Sequence, residues 1–156
     1  MFAVNEILDI AIRLEKNSRK IYLEAAAKTS VPEIETALEW IAGEESAHVD
    51  WFEGLKTEVS HQTDTLAQEN LDSSFLNTII GKEAFSLENV DFADIWQVSE
   101  LIEVFIESEK DGILFYEMLK AFVLEEEARN LLDRIIAEED HHIETFRALK
   151  TAVPSP

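Results

Sequence analysis

Cysteine is absent from the 156-residue sequence, which excludes disulfides, thiolate zinc sites and iron–sulfur clusters within the chain. Glycine occurs four times and proline three times, two of those prolines among the last three residues. With so few breakers and abundant Ala, Leu, Ile and Glu, the chain should form mostly long helices. Basic residues are scarce: 13 Lys and Arg stand against 33 Asp and Glu, for a formal net charge of -20. That charge repels nucleic acid and anionic membrane surfaces, so neither is an expected partner. No apolar run approaches the ~20 residues that span a bilayer. The segment from Met1 to Ile12 carries Glu6 and Asp9 inside its apolar run and has no basic start. It is therefore not expected to be a signal peptide, and a cytoplasmic location is the default expectation.

What is present is a repeat. At an ungapped offset of 94, Glu15, Lys16 and Tyr22 fall on Glu109, Lys110 and Tyr116. In the same frame Glu44, Glu45, His48, Phe52 and Lys56 fall on Glu138, Glu139, His142, Phe146 and Lys150. Chance in a helical chain can match a few residues, but not the rarer Tyr, His and Phe in one frame. The chain reads as a single domain over 1–156: a hairpin at 4–60, a crossover at 61–94 and a second hairpin at 95–153.

Each half is predicted to be a helical hairpin. Asn5 is placed to cap a helix running to about Lys28. Ser30 and Glu33 form a Ser-x-x-Glu capping box for the next, with Pro32 in its first turn, and that helix continues to about Val59. The second half offers helices from about Ala93 to Ala121 and from about Leu124 to Ala152. The connection carries its own apolar stretch, Phe75 to Phe85, and can cross a helix length of ~40 Å. The second and third long helices would then run parallel, giving an all-α four-helix bundle of two hairpins with one long crossover.

The apolar stripe of each predicted helix is interrupted by an acid near its middle: Glu15, Glu45, Glu109 and Glu139. Two stripes add a histidine three residues later, His48 and His142, and no Lys or Arg occupies the stripes. Burying one unpaired carboxylate costs several kcal/mol, and four repel one another as well. Protonation, water or a cation must compensate. Two divalent ions close the charge count against four carboxylates with both imidazoles neutral. The i, i+3 spacing lets one helix offer an oxygen and a nitrogen to one ion. Four Glu and two His form the ligand set of di-iron and di-manganese carboxylate bundles, and imidazoles favour iron or manganese over calcium or magnesium. A lone Glu-x-x-His in an acidic helix would be a surface pair; two in the repeat frame, each on an apolar seam, are not. His141, off the seam, and His61, in the connection, are expected to be solvated, and Glu44 and Glu138 to be flanking charges. Tyr22 and Tyr116 fit either hydrogen-bonded core aromatics or residues that contact the site or carry an electron.

The pattern Glu15-Lys16 to Tyr22, Glu45-x-x-His48, Glu109-Lys110 to Tyr116 and Glu139-x-x-His142 resembles the rubrerythrin branch of the ferritin-like superfamily. The segment around Leu76 to Phe85 is similar to that branch's crossover. The resemblance implies a ferritin-like bundle in which Glu15 and Glu109 are single-glutamate ligands. Glu45 with His48 and Glu139 with His142 would complete a catalytic centre of two iron ions, with manganese as the substitute. It further implies an oxidoreductase acting on peroxide or dioxygen, supplied by an external electron donor and assembled as a homodimer or larger homo-oligomer. Iron storage with ferroxidase activity and a purely structural bundle are the competing expectations. Two departures stand out. A chain without cysteine cannot contain the rubredoxin-like domain of full rubrerythrins. The additional glutamate that the family places one turn after the third-helix ligand is here Gly112. The ligand exchange associated with that glutamate therefore has no residue to carry it, and Gly112 is expected to leave room for oxidant or an ordered water.

Overall fold

A computed structural model describes residues 4–60 and 87–152, with the side chains of residues 4, 59 and 60 left aside. Four long helices make up nearly all of it: α1 Val4–Lys28, α2 Pro32–Ser60, α3 Ile95–Lys120 and α4 Glu126–Ala152. The apolar stretch Phe75 to Phe85, most of the crossover and His61 lie outside the described residues.

Local signals set some helix ends and fail at others. Pro32 opens α2 as its first residue, where its missing N–H costs nothing. The expected capping box does not form. The side chains of Ser30 and Glu33 are exposed, and Thr29 Oγ1 instead accepts a bond from the Val31 N–H at 3.2 Å. Asn5 lies inside α1 rather than capping it; its Oδ1 is buried without a hydrogen-bond partner among the described residues. Asp94 caps α3, accepting from the Trp96 N–H at 3.0 Å, so that helix starts two residues later than Ala93. The α3–α4 break is longer than expected because Phe122 and Val123 fold into the core, each 8% exposed, before α4 begins.

The core has three layers along the bundle. One apolar cluster joins Ile7 and Ala11 at the start of α1 to Phe52 and Leu55 late in α2, Leu119 late in α3 and Leu132 early in α4. The other joins Ala25 late in α1 to Leu38 early in α2, Ile102 early in α3 and Phe146 late in α4. The late ends of α2 and α3 thus share one cluster, so these two helices run parallel, as a long crossover requires. Between the two apolar clusters, at mid-length on all four helices, lies a polar layer. Its members Glu15, Glu45, His48, Glu109, Glu139 and His142 are the buried polar and charged residues of the described chain, each at most 3% exposed.

The repeat is visible in the packing. Lys56 on α2 reaches Asp9 on α1 at 2.5 Å, and Lys150 on α4 reaches Glu103 on α3 at 2.7 Å; both partners match at the same offset. Tyr22 packs on Phe146 at 5.5 Å and Tyr116 on Phe52 at 5.3 Å between ring centroids. These aromatic contacts join opposite hairpins, so the two halves clasp one another around an approximate two-fold axis.

Candidate metal centre

All six seam residues converge. Their inward-facing atoms form two overlapping clusters, one of Glu15, Glu45, His48 and Glu139, the other of Glu45, Glu109, Glu139 and His142. Within each, one atom per residue lies within 4.8 Å of the others. Glu45 and Glu139 belong to both. His48 Nδ1 stands 3.0 Å from Glu139 Oε1, 3.5 Å from Glu15 Oε2 and 3.7 Å from Glu45 Oε2. His142 Nδ1 stands 3.3 Å from Glu45 Oε1 and 3.8 Å from Oε2 of both Glu109 and Glu139. The two imidazoles lie nearly parallel, at 29°, with centroids 6.4 Å apart.

The outer atoms of this layer are held from the opposite hairpin. Tyr22 on α1 donates its hydroxyl to Glu109 Oε1 on α3 at 2.5 Å, and Tyr116 on α3 donates to Glu15 Oε1 on α1. Each terminal glutamate thus has one oxygen bonded to a tyrosine and the other turned inward. The histidines are held in the same way. Nε2 of His48 is 2.7 Å from Glu138 Oε2 on α4, and Nε2 of His142 meets Glu44 Oε2 on α2. Such a bond fixes which imidazole nitrogen carries the proton and leaves Nδ1 as the inward donor.

Glu44 and Glu138 are therefore not flanking charges. They orient the two histidines, and the sequence signal for this was their repetition beside both Glu-x-x-His motifs. The tyrosines are buried, hydrogen-bonded aromatics and also touch the site. His141 is exposed as expected, with Glu144 3.7 Å away and Trp40 against its ring.

The electrostatics show how badly this layer needs positive charge. Burial alone would lower the pKa of His48, but the carboxylates of Glu139 and Glu15 outweigh it and push the pKa up to about 11. His142 is pushed up to about 10 in the same way, by Glu109 and Glu139 against burial. Burial also raises the pKa of Glu15 and, with the charges of Glu109 and Glu15, lifts that of Glu139 well above the usual carboxylate range. When only protons balance the layer, both imidazoles are cationic near pH 7. Yet Glu15 Oε2, Glu45 Oε1, Glu139 Oε1 and both Nδ1 atoms are buried without a hydrogen-bond partner among the described residues. Five such atoms facing one another are costly unless something binds them. Oxygen and nitrogen donors of this kind suit a pair of divalent ions, and the residues fit a di-metal centre.

A cavity of ≈ 70 Å³ leads to this layer between α1 and α3. Its lining runs from half-exposed Asn17, Ser18, Asp111 and Gly112 to the buried carboxylates. A Cβ added at Gly112 would meet only Tyr116 Cε2, at 4.0 Å, so the glycine leaves open space where a side chain would fit.

The sequence matches the family model described as Rubrerythrin over residues 6–150. The chain belongs to the rubrerythrin family. Two solved structures share its fold. One is a hypothetical protein from Pyrococcus furiosus, 24% identical, with a TM-score of 0.74 over 97% of this chain and 90% of that one. The other, from Thermotoga maritima, carries a ferritin-like diiron-carboxylate assignment; it is also 24% identical, with a TM-score of 0.70 over 96% of this chain and 95% of that one. No curated protein matches the sequence. This rubrerythrin-family chain is thus an all-α, ferritin-like four-helix bundle. Among its described residues no helix is long and apolar enough to cross a membrane.

Proposed function

We propose that this chain is a di-iron oxidoreductase that reduces peroxide or dioxygen. The observation that carries the reading is the overlap of the two buried clusters through Glu45 and Glu139, which suits a pair of ions bridged by carboxylates. In this arrangement Glu15 with His48, and Glu109 with His142, would be the ligands private to each ion. Bound ferrous iron supplies one electron per ion, and two electrons with two protons convert peroxide to two waters. Manganese fits the same donors.

The protein's own contribution is positioning. Tyr22 and Tyr116 hold the outer oxygens of Glu109 and Glu15, and Glu138 and Glu44 hold the imidazoles, so the inward atoms need little rearrangement on loading. The apolar clusters on either side keep bulk water out. The cavity beside Gly112 has room for a few water-sized molecules, which suits an oxidant of two heavy atoms. Because the chain has no cysteine, electrons for a second turnover must come from an external donor or from fresh ferrous iron.

Anaerobic reconstitution with ferrous iron, followed by stopped-flow mixing with peroxide or dioxygen, tests the reading. Rapid oxidation at two irons per chain, repeated on re-reduction without ferric mineral, is expected. Oxidation ending in mineral growth would make the chain an iron-storage protein instead. Iron that binds and stays ferrous would sink the redox assignment.

A further inference from the structure

The inner ligands of the two metal positions match through the repeat: one terminal glutamate, one histidine, the two shared glutamates, and a tyrosine on the terminal glutamate. A difference lies one layer out, at the repeat position occupied by Arg134 in the second half and Trp40 in the first. Each stands four residues before the glutamate that orients a histidine. Arg134 Nε lies 3.2 Å from Glu138 Oε1 while the other oxygen of Glu138 takes the His48 imidazole. The charge of that carboxylate is shared between a guanidinium and the ring. Glu44 is bonded to His142 and has no Lys or Arg within ion-pair distance among the described residues. In place of a cation, the indole of Trp40 stands nearly perpendicular to the His142 ring, with centroids 5.8 Å apart at 85°. Glu44 and Glu138 are otherwise alike, their side chains 28% and 30% exposed.

A carboxylate hydrogen-bonded to the far nitrogen of a ligating imidazole makes that imidazole a stronger donor. An uncompensated carboxylate does so more than one already paired with Arg. We infer that the two metal positions are unequal, with the one formed by Glu109 and His142 binding a divalent ion more tightly than the one formed by Glu15 and His48. The inference rests on the two-ion reading of the site but not on any redox activity. Arg134 and Glu44 act here as positioning residues, through the histidines.

Zinc tests the ranking without redox chemistry. The full chain, stripped of metal and equilibrated with one equivalent of zinc, is crystallised, and the anomalous signal at the two positions is compared. The expected result is a several-fold stronger peak at the Glu109–His142 position. Arg134→Met, at an exposed site, should bring the peaks closer by only a few-fold, because solvent screens the guanidinium. Glu44→Gln, which keeps an acceptor for the imidazole but loses the charge, should weaken the favoured position by roughly 10-fold or more. Equal peaks in the unaltered chain, or a stronger peak beside His48, would overturn the ranking alone. An unchanged ratio in both variants would overturn its cause. Zinc at neither position would overturn the two-ion reading, and the ranking with it.

Discussion

The two hairpins are built to one plan and diverge at few places that matter to the site. Their glutamates, histidines, tyrosines and supporting phenylalanines superpose through the repeat, and each half completes the other: tyrosine from one bonds glutamate in the other, and glutamate from one bonds histidine in the other. Where they part, Ser18 faces Gly112 across the cavity and Trp40 takes the place of Arg134. A buried cluster of like charges tolerates little variation, since every inward atom is needed to hold a cation. The layer outside it can vary, and that is where two equivalent positions can acquire different properties.

Substitutions made in matched pairs can break this comparison. The largest effect should come from the shared acids. Glu45→Gln or Glu139→Gln removes a ligand from both clusters and should abolish binding of both ions, whereas Glu15→Gln or Glu109→Gln should leave one ion per chain by metal analysis. If the shared and private glutamates behave alike, the overlapping-cluster geometry is wrong. Next in size, Phe52→Ala and Phe146→Ala, both buried at 0% exposure, should each cost about 3–5 kcal/mol in denaturant unfolding. Tyr22→Phe and Tyr116→Phe should each cost about 1–3 kcal/mol, because a buried carboxylate oxygen loses its donor, and both should weaken metal binding. A large inequality within the phenylalanine or tyrosine pair would show that the halves are not energetically equivalent. Smallest of all, Lys56→Ala and Lys150→Ala remove exposed ion pairs, and each should change stability by about 0–1 kcal/mol.

Much of this site was legible in the sequence because the signal was physical conflict. An acid in the middle of an apolar stripe is costly, and four of them at the repeat offset leave few solutions. All six seam residues lie at most 3% exposed, where the stripes placed them. Glu44 and Glu138 escaped because a stripe marks the face of one helix toward a single axis. In a bundle, a residue one position off that axis still faces a neighbouring helix and can reach across to it. The capping signals at Asn5 and at Ser30–Glu33 misled for a different reason. They are local preferences of about 1 kcal/mol, and burial or an adjacent Thr29 overrides them. The tyrosines were ambiguous because sequence periodicity shows that a side chain is buried but not what its hydroxyl meets.

With protons alone in the layer, His48 and His142 have pKa values raised from 6.5 to about 11 and about 10. The stability they contribute is complete below about pH 6.5 and is lost as pH rises through those values. The raised carboxyls of Glu15 and Glu139 act in the same direction, and the lowered one of Glu109 opposes them. Chelator-treated protein should therefore melt at lower temperature at pH 9 than at pH 6.5, and metal-loaded protein should lose less over that range. The same protons must leave when metal binds. Calorimetric titration of the stripped chain with ferrous iron under anaerobic conditions, in buffers of different ionisation enthalpy, counts ions and protons together. The two-ion site requires two ions per chain at neutral pH, with the imidazolium protons released as they bind. Failure to bind two ions, or binding without proton release, would contradict it.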